Sequence, residues 1–384
     1  PVSPLDEGDQ LSMMPPEEKP DPLLCWLWLA HVLGPASPHA EQLVDWCDDP
    51  VRIWEERDTL AFRGAAGPAA AHRAQNPNCT PWSFRPLAAQ CQRMGVRILT
   101  YDDSDYPLSL TRIPDLPLVL YCTGSPSWLN APGRVGMVGS RRPDNYGRQA
   151  AASIGQSLAR SGAVIVSGLA DGLDSESHRA AVESNAPTIG VQGVPIDRTF
   201  PASNRTLRQK IEENGCVISE YAPGEEYSTK ASFLQRNRLI AGLSQVLVVL
   251  EAREKSGTMS TVAHAERYQR PVYAVPGDIN RDNASGTNRL IQSGRARMLL
   301  GAEDLLEPLG LTGAPEASAA PAVQGPALSA KERRVLACMK REPMSVEELA
   351  SGCGIPAGAL SAVLMGLVLS GYVKQLPGQR YCLL

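Results

Sequence analysis

Val135-Gly136-Met137-Val138-Gly139-Ser140-Arg141-Arg142 is an apolar run that ends abruptly in a glycine, a serine and two arginines. Without polar alternation, Val135–Val138 reads as a strand buried on both faces. A helix over about Gly147 to Arg160, stopped by Ser161-Gly162, follows it. The pattern then recurs along the chain. Ala163–Val166, Thr188–Val191, Cys216–Ser219, Val246–Leu250 and Val272–Val275 read as strands. Asp174–Glu183, Asn204–Glu213, Arg236–Gly242 and Thr258–Tyr268 read as the helices between them, with Asn204 placed as an N-cap. Continuous apolar strands separated by helices predict a parallel sheet covered on both faces, a doubly wound α/β fold. Two earlier strands, Val96–Thr100 and Leu118–Tyr121, extend it.

Outward from this centre the chain divides. Residues 1–20 are rich in proline and acid, without apolar period, and read as disordered. Residues 21–95 read as a small helical domain, with helices over Leu23–Leu33, Ala40–Trp46 and Phe84–Met94 and an Ala/Gly/Pro-rich loop over Gly64–Thr80. The sheet domain takes 96–308, and 309–327 is a low-complexity linker. In 328–384, three helices over Ser329–Lys340, Ser345–Cys353 and Ala357–Leu369 precede a hairpin, which is the pattern of a winged helix. Ser345 and Glu348 match a capping box. The helix placed to read a groove, Pro356 to Ser370, has no Lys or Arg, so this unit is expected to meet protein or pack internally.

Charge is unevenly spread. The chain is −4 overall, yet residues 134–300 carry 21 Lys+Arg against 16 Asp+Glu, and the flanks 16 against 25. A basic middle inside an acidic whole suits a polyanionic ligand. No run of about 18 apolar residues offers a membrane span. The chain opens at Pro1 rather than Met, and no signal-peptide pattern is read in it. Nine scattered cysteines with no C-x-x-C pair predict reduced thiols in a cytoplasmic protein, and five scattered histidines predict no zinc site.

Ligands of an open parallel sheet bind at the carboxyl ends of its strands, so the residues following each strand are the candidates. Gly139, Ser140 and Arg141 offer close backbone approach, a hydroxyl and a planar cation to an anion; the plainer reading is a tight turn with a solvated arginine pair. Ser167-Gly168 opens a loop containing Asp171 and Asp174, the latter a candidate helix cap. Lys230, Phe233, Arg236 and Arg238 place three cations and one aromatic ring at the mouth of a helix, where cations meet phosphates and a ring stacks on a base; the plainer reading packs Phe233 in the core. Ser256-Gly257 opening a helix is another anion cradle. No catalytic set emerges. His178 and His264 read as structural residues, and the spacing of Asp171, Asp174, Glu220 and Glu251 specifies no metal.

The ordered series Tyr106-Pro107, Gly139-Ser140-Arg141, Tyr146-Gly147, Ser167-Gly168-Leu169-Ala170, Asp174, His178, Pro201, Asn204, Ser219-Glu220, Phe233, Arg236-Asn237-Arg238, Glu251-Ala252, Ser256-Gly257-Thr258, Pro276-Gly277 and Gly286 resembles the DNA-processing protein A (DprA/Smf) family. The resemblance runs from about Tyr106 to Gly294. It implies an extended Rossmann-like domain, a SAM-like helical N-terminal domain and a C-terminal winged helix. It also implies a dimer that binds single-stranded DNA and loads RecA recombinase in natural transformation, displacing or bypassing single-strand-binding protein, with no cofactor and no turnover. Carried onto this sequence, it implies binding by Ser140, Arg141, Lys230 and Phe233, supported by Gly139, Ser167, Gly168, Arg236 and Arg238. This chain departs from the family pattern at Asp171, at Gly193-Val194-Pro195 and at Arg295. The alternative is a nucleotide enzyme or sensor similar to the LOG phosphoribohydrolases. Their P-G-G-x-G-T-x-x-E pattern lacks its glutamate here, since Thr261 stands three residues after Thr258 and the next acid is Glu266.

Overall fold

The computed structural model describes residues 19–226, 229–311, 328–339, 343–370, 372–376 and 378–383. Most of the segments read as disordered (1–20) and as linker (309–327) lie outside them.

Six helices come first: α1 (Pro22–Leu33), α2 (Ala40–Trp46), α3 (Pro50–Glu55), α4 (Leu60–Ala66), α5 (Pro68–Ala74) and α6 (Arg85–Arg93). Asp21 caps α1 by accepting from Leu23 N, and Trp26, Leu27, Trp28 and Leu29 are all buried. The loop expected over Gly64–Thr80 is instead largely helical. Alanine is the best helix former, Pro68 occupies a first-turn position where its missing N–H costs nothing, and Gly67 at φ 82° separates the two helices.

The sheet domain follows as β1 (Arg97–Thr100), β2 (Val119–Gly124), β3 (Arg134–Val138), α7 (Asn145–Arg160), β4 (Val164–Ser167), α8 (Leu173–Glu183), β5 (Thr188–Gln192), α9 (Arg205–Asn214), β6 (Cys216–Ser219), α10 (Thr229–Leu243), β7 (Val246–Val249), α11 (Thr258–Arg267), β8 (Val272–Ala274), α12 (Ser285–Gln292), β9 (Arg297–Met298) and α13 (Glu303–Leu309). Among the described residues the sheet has nine strands in the order β1-β2-β6-β5-β4-β3-β7-β8-β9. Strands β3 to β9 pair in parallel, and β1 and β2 add an antiparallel edge beside β6. This is the extended doubly wound sheet that the sequence predicts, with β9 as an addition too short to show any period. Helices α7, α8 and α13 pack on one core cluster, while α10 and α11 share the other with the N-terminal helices.

Strand β3 lies between β4 and β7. From β3 the chain winds to β4, β5 and β6, then returns to β7 on the opposite side. The loops after β3 and β7 therefore diverge to opposite faces of the sheet and leave a crevice between them at its carboxyl rim.

The C-terminal unit is α14 (Ala330–Cys338), β10 (Met344–Ser345), α15 (Val346–Cys353), α16 (Ala357–Leu369), β11 (Val373–Leu376) and β12 (Arg380–Leu383). The expected capping box at Ser345 and Glu348 is formed, and Ser329 with Glu332 makes a second. Helix α14 docks the unit onto the rest of the chain. Arg333, 1% exposed, donates to the Tyr101 and Asp103 carbonyls, Arg334 pairs with Glu41 (3.0 Å) and Asp45, and Arg112 donates to Ala337 O (2.8 Å). The uncharged helix α16 buries Leu360, Leu364 and Leu367 within the unit.

Candidate nucleic-acid interface

A cleft of about 290 Å³ occupies the β3/β7 switch point. One wall is the loop after β3, Gly139-Ser140-Arg141. Ser140 N donates to Glu251 O at 2.8 Å, and Leu173 N donates to Ser140 O at 3.1 Å, so this loop is clamped from both sides. A Cβ on Gly139 would lie 2.4 Å from Leu173 Cδ1, which is why close packing here needs glycine. The facing wall is Ala252 to Thr258, running into the N-terminus of α11. Thr258 Oγ1 donates to Gly139 O at 3.2 Å and ties the walls together. Helix α10 closes the third side with Phe233, Arg236 and Asn237.

Helix α10 starts at Thr229, about two turns before its sequence-predicted start, so Lys230 and Phe233 sit on the helix itself, one turn apart on one face. Lys230 is exposed and is not among the cleft's lining residues. Phe233 is half-buried. Its ring centroid lies 5.4 Å from the Arg141 guanidinium carbon, 5.9 Å from that of Arg236 and 5.2 Å from the centre of the Phe200 ring.

The two arginines of α10 have different tasks. Arg236 lines the cleft, but only 4% of it is exposed, and its Nη1 donates to the carbonyls of Gly168 and Val191. Burial draws its guanidinium down to about 10, against the pull of Asp174. Asp174, on the cleft floor, is raised by the same burial, against the pull of Arg236 and Arg141. The pair makes the floor nearly neutral and leaves exposed Arg141 and Arg253 as the cations at the rim. Arg238 turns away. It is fully buried, with Nη2 2.7 Å from Glu220 Oε1 and Nε donating to Asp115 O at 2.9 Å. Its expected support of the binding site is therefore corrected. Residues two apart on a helix point to different sides, and Arg238 ties α10 to the loop before β2.

Ser167 and Gly168 lie behind the cleft rather than on its lining. Ser167 Oγ donates to Met137 O at 2.6 Å, and Gly168 has no room for a side chain because Asp174 and Arg236 crowd it. Asp174 does not cap α8, since Gly172 holds that position. Asn204 gives no side-chain cap to α9; its Nδ2 instead bridges Leu169 O and Ser175 Oγ, both at 2.9 Å. Asp171 is outside the lining and accepts from Ser203 Oγ at 3.3 Å. Arg295 pairs with Glu266 at 2.8 Å.

Two polar atoms in the cleft wall, Arg236 Nε and Ser256 Oγ, are buried without a protein partner. Such atoms are rare in folded proteins and suit a ligand that completes them. Beside the N-terminus of α11, with the positive end of its dipole, they make the cleft receptive to an anion. Among the described residues, no group of three or more His, Cys, Asp or Glu is placed to hold a metal ion, and no single helix is long and apolar enough to cross a membrane.

The signal that sequence reading missed is Phe200. A lone aromatic in a loop has no period, and only the fold reveals that it meets Phe233.

Comparison with known proteins converges on one family. The model of DNA recombination-mediator protein A matches residues 97–310, and that of the DprA winged helix domain matches residues 317–379. Protein Smf of Synechocystis is 32% identical over 340 residues, covering 80% of this chain and 84% of that protein. DNA processing protein DprA of Bacillus subtilis is 36% identical over 241 residues, covering 63% and 80%. The X-ray structure of DNA processing protein A from Streptococcus pneumoniae aligns with a TM-score of 0.63 at 28% identity, covering 74% of this chain and 97% of that one. A Helicobacter pylori DNA processing protein A, whose structure addresses its single-stranded DNA binding mode, aligns with a TM-score of 0.51 at 34% identity, covering 56% and 95%. From its switch-point cleft to its docked winged helix, this chain belongs to the DNA recombination-mediator protein A (DprA/Smf) family.

Proposed function

We propose that the carboxyl rim of the sheet binds single-stranded DNA and that the protein is a non-catalytic mediator that hands the strand to RecA recombinase in natural transformation. In this reading Ser140, Arg141 and the Ser256-Gly257 turn take a backbone phosphate, Lys230 meets the next one, and the aromatic rings beside the cleft support a base. Gly139, Gly168 and Arg236 shape the pocket, and Ser167 holds its back wall. The working form is a homodimer that displaces or bypasses single-strand-binding protein.

The observation that carries the reading is the convergence of three elements from distant parts of the sequence on one cleft: the β3 loop, the start of α11 and the basic, aromatic face of α10. Phosphate cradles and an exposed aromatic edge side by side are what a flexible polynucleotide requires, since its backbone is charged and its bases are free to stack. The single-stranded DNA binding of the Helicobacter pylori relative supports the same reading.

The test is competition between an oligonucleotide and a duplex of equal length, with a RecA loading assay on strands coated with single-strand-binding protein. The single strand should compete at far lower concentration, and RecA filaments should form faster with the protein present. Equal competition by duplex, or release of base from nucleoside monophosphates, contradicts it.

A further inference from the structure

The exposed aromatic face beside the cleft belongs to Phe200 rather than to Phe233. Phe233 is half-buried and already engaged. Its Cδ1 lies 2.8 Å from where a Cβ on Gly193 would stand, so the ring rests against that backbone. The guanidinium carbons of Arg141 and Arg236 lie 5.4 and 5.9 Å from its centroid, and the Phe200 ring 5.2 Å away at an interplanar angle of 34°. Phe200, by contrast, is 43% exposed. A large apolar ring left that open contributes little to the core, while its inner side continues the stack that begins at Arg141.

The loop that carries Phe200 is held rigid by buried polar side chains. Gln192 Nε2 donates to Pro195 O (3.0 Å) and Arg198 O (3.1 Å), and Arg208 Nη2 donates to Ile196 O (2.6 Å). Gln192 is 2% exposed and Arg208 7%. Three residues past Pro201, Asn204 is locked against the loop before α8. A ring on a preorganised loop binds without first having to be ordered. Arg205, exposed at the start of α9, follows Phe200 by five residues and supplies a cation for a phosphate on that side.

We propose that Phe200 is the base-stacking platform of this rim, taking the base of the nucleotide that follows the one whose phosphate sits against Arg141. The inference deepens the proposed single-strand reading and rests on it. The strand would leave the cleft over the Phe233–Phe200 pair toward the start of α9, with Phe233 as the buttress that sets the angle of the outer ring.

The experiment measures the affinity of the full chain for labelled oligothymidylate, and for an abasic oligomer of the same length, at fixed salt. Phe200→Leu keeps apolar bulk without a π face. It should bind oligothymidylate about tenfold more weakly, the loss of one base–aromatic stack, and bind the abasic oligomer as wild type does. Phe200→Tyr should bind both as wild type does. Phe200→Trp gives a second readout, an emission quenched by oligothymidylate and not by the abasic chain. Wild-type affinity of Phe200→Leu for oligothymidylate, or equal weakening on both oligomers, overturns the proposal. Arg141→Ala in the same assay separates the two levels. If it weakens binding while Phe200→Leu does not, only the platform falls; if it too has no effect, the reading of the cleft falls with it.

Discussion

The guanidinium carbon of Arg141 stands 5.4 Å from the centroid of the Phe233 ring, which joins the loop after β3 to the first turns of α10 across the cleft. The two residues are 92 positions apart in the chain. Their meeting follows from the switch point. The chain leaves β3 in one direction and comes back through α10 to β7 on the other side, so the start of α10 crosses the carboxyl rim where the β3 loop ends. A cation beside an aromatic face gains about 0.5–1 kcal/mol at an exposed site. That is enough to bias the Arg141 side chain toward the cleft and small enough for a phosphate to draw it away.

Arg238 serves the fold and not the ligand. Arg238→Met removes the ion-pair partner of the largely buried Glu220 carboxylate, and breaking a buried pair in this way costs about 3–5 kcal/mol, which partial exposure of Glu220 puts at the lower end here. Denaturant unfolding should show a loss of that size, while the oligonucleotide affinity of the folded protein stays at the wild-type value. A selective loss of affinity with unchanged stability would return Arg238 to the binding site.

Gly172 shapes the cleft without lining it. Its φ is 81°, and a Cβ there would lie 2.3 Å from Ser140 O and 2.7 Å from Arg141 C. This φ with a ψ of −129° is a backbone conformation open almost only to glycine, so Gly172→Ala brings strain of about 1–3 kcal/mol and pushes the anion loop. Both a lowered melting temperature and weaker oligonucleotide binding are expected. Wild-type binding by Gly172→Ala would show that the position of this loop does not matter.

Much of this architecture is legible in the sequence because apolar runs and glycine stops are local signals. β3 and β7 announce themselves by unbroken apolar stretches, and Gly139-Ser140-Arg141 by its place after one of them. Other features are not local. Helices α4 and α5 are seven residues long and punctuated by glycine and proline, so composition suggests loop over Gly64–Thr80 where packing of Ala66, Ala70 and Ala74 makes helix. Arg236 and Arg238 look equivalent as residue types. Only helical geometry, with two residues turning the side chain through about 200°, sends one to the cleft and the other into the fold. Phe200 gains its meaning from a partner 33 positions away.

Glu251 makes stability depend on pH. Burial and the nearby Asp144 carboxylate raise it from 4.5 to about 7. The folded protein thus keeps this proton up to about pH 7, while the unfolded chain releases it near 4.5. Folding takes up a proton between those values, and the contribution of this group to stability, full below pH 4.5, is lost as the pH rises through 7. A rise of that size is worth about 3 kcal/mol. Glu251→Gln should be more stable than wild type at pH 8 and close to it at pH 4.5. Parallel unfolding curves of the two proteins across that range would contradict the assignment.

The docking of the winged helix rests on α14. Arg333→Ala removes the donors to the Tyr101 and Asp103 carbonyls, and Arg334→Ala unpairs Glu41 and Asp45. The double variant should expose α14 to limited proteolysis much faster than wild type. An unchanged digestion pattern would show that other contacts hold the unit in place.

The most direct test of the account is the salt dependence of single-strand binding in wild type and in Arg141→Ala/Lys230→Ala. Each phosphate neutralised on a single strand contributes about −0.7 to the slope of log affinity against log salt. The double variant should bind more weakly at low salt and show a slope shallower by about 1.4. A slope and affinity equal to those of wild type would place the strand elsewhere on the protein and contradict the central claim.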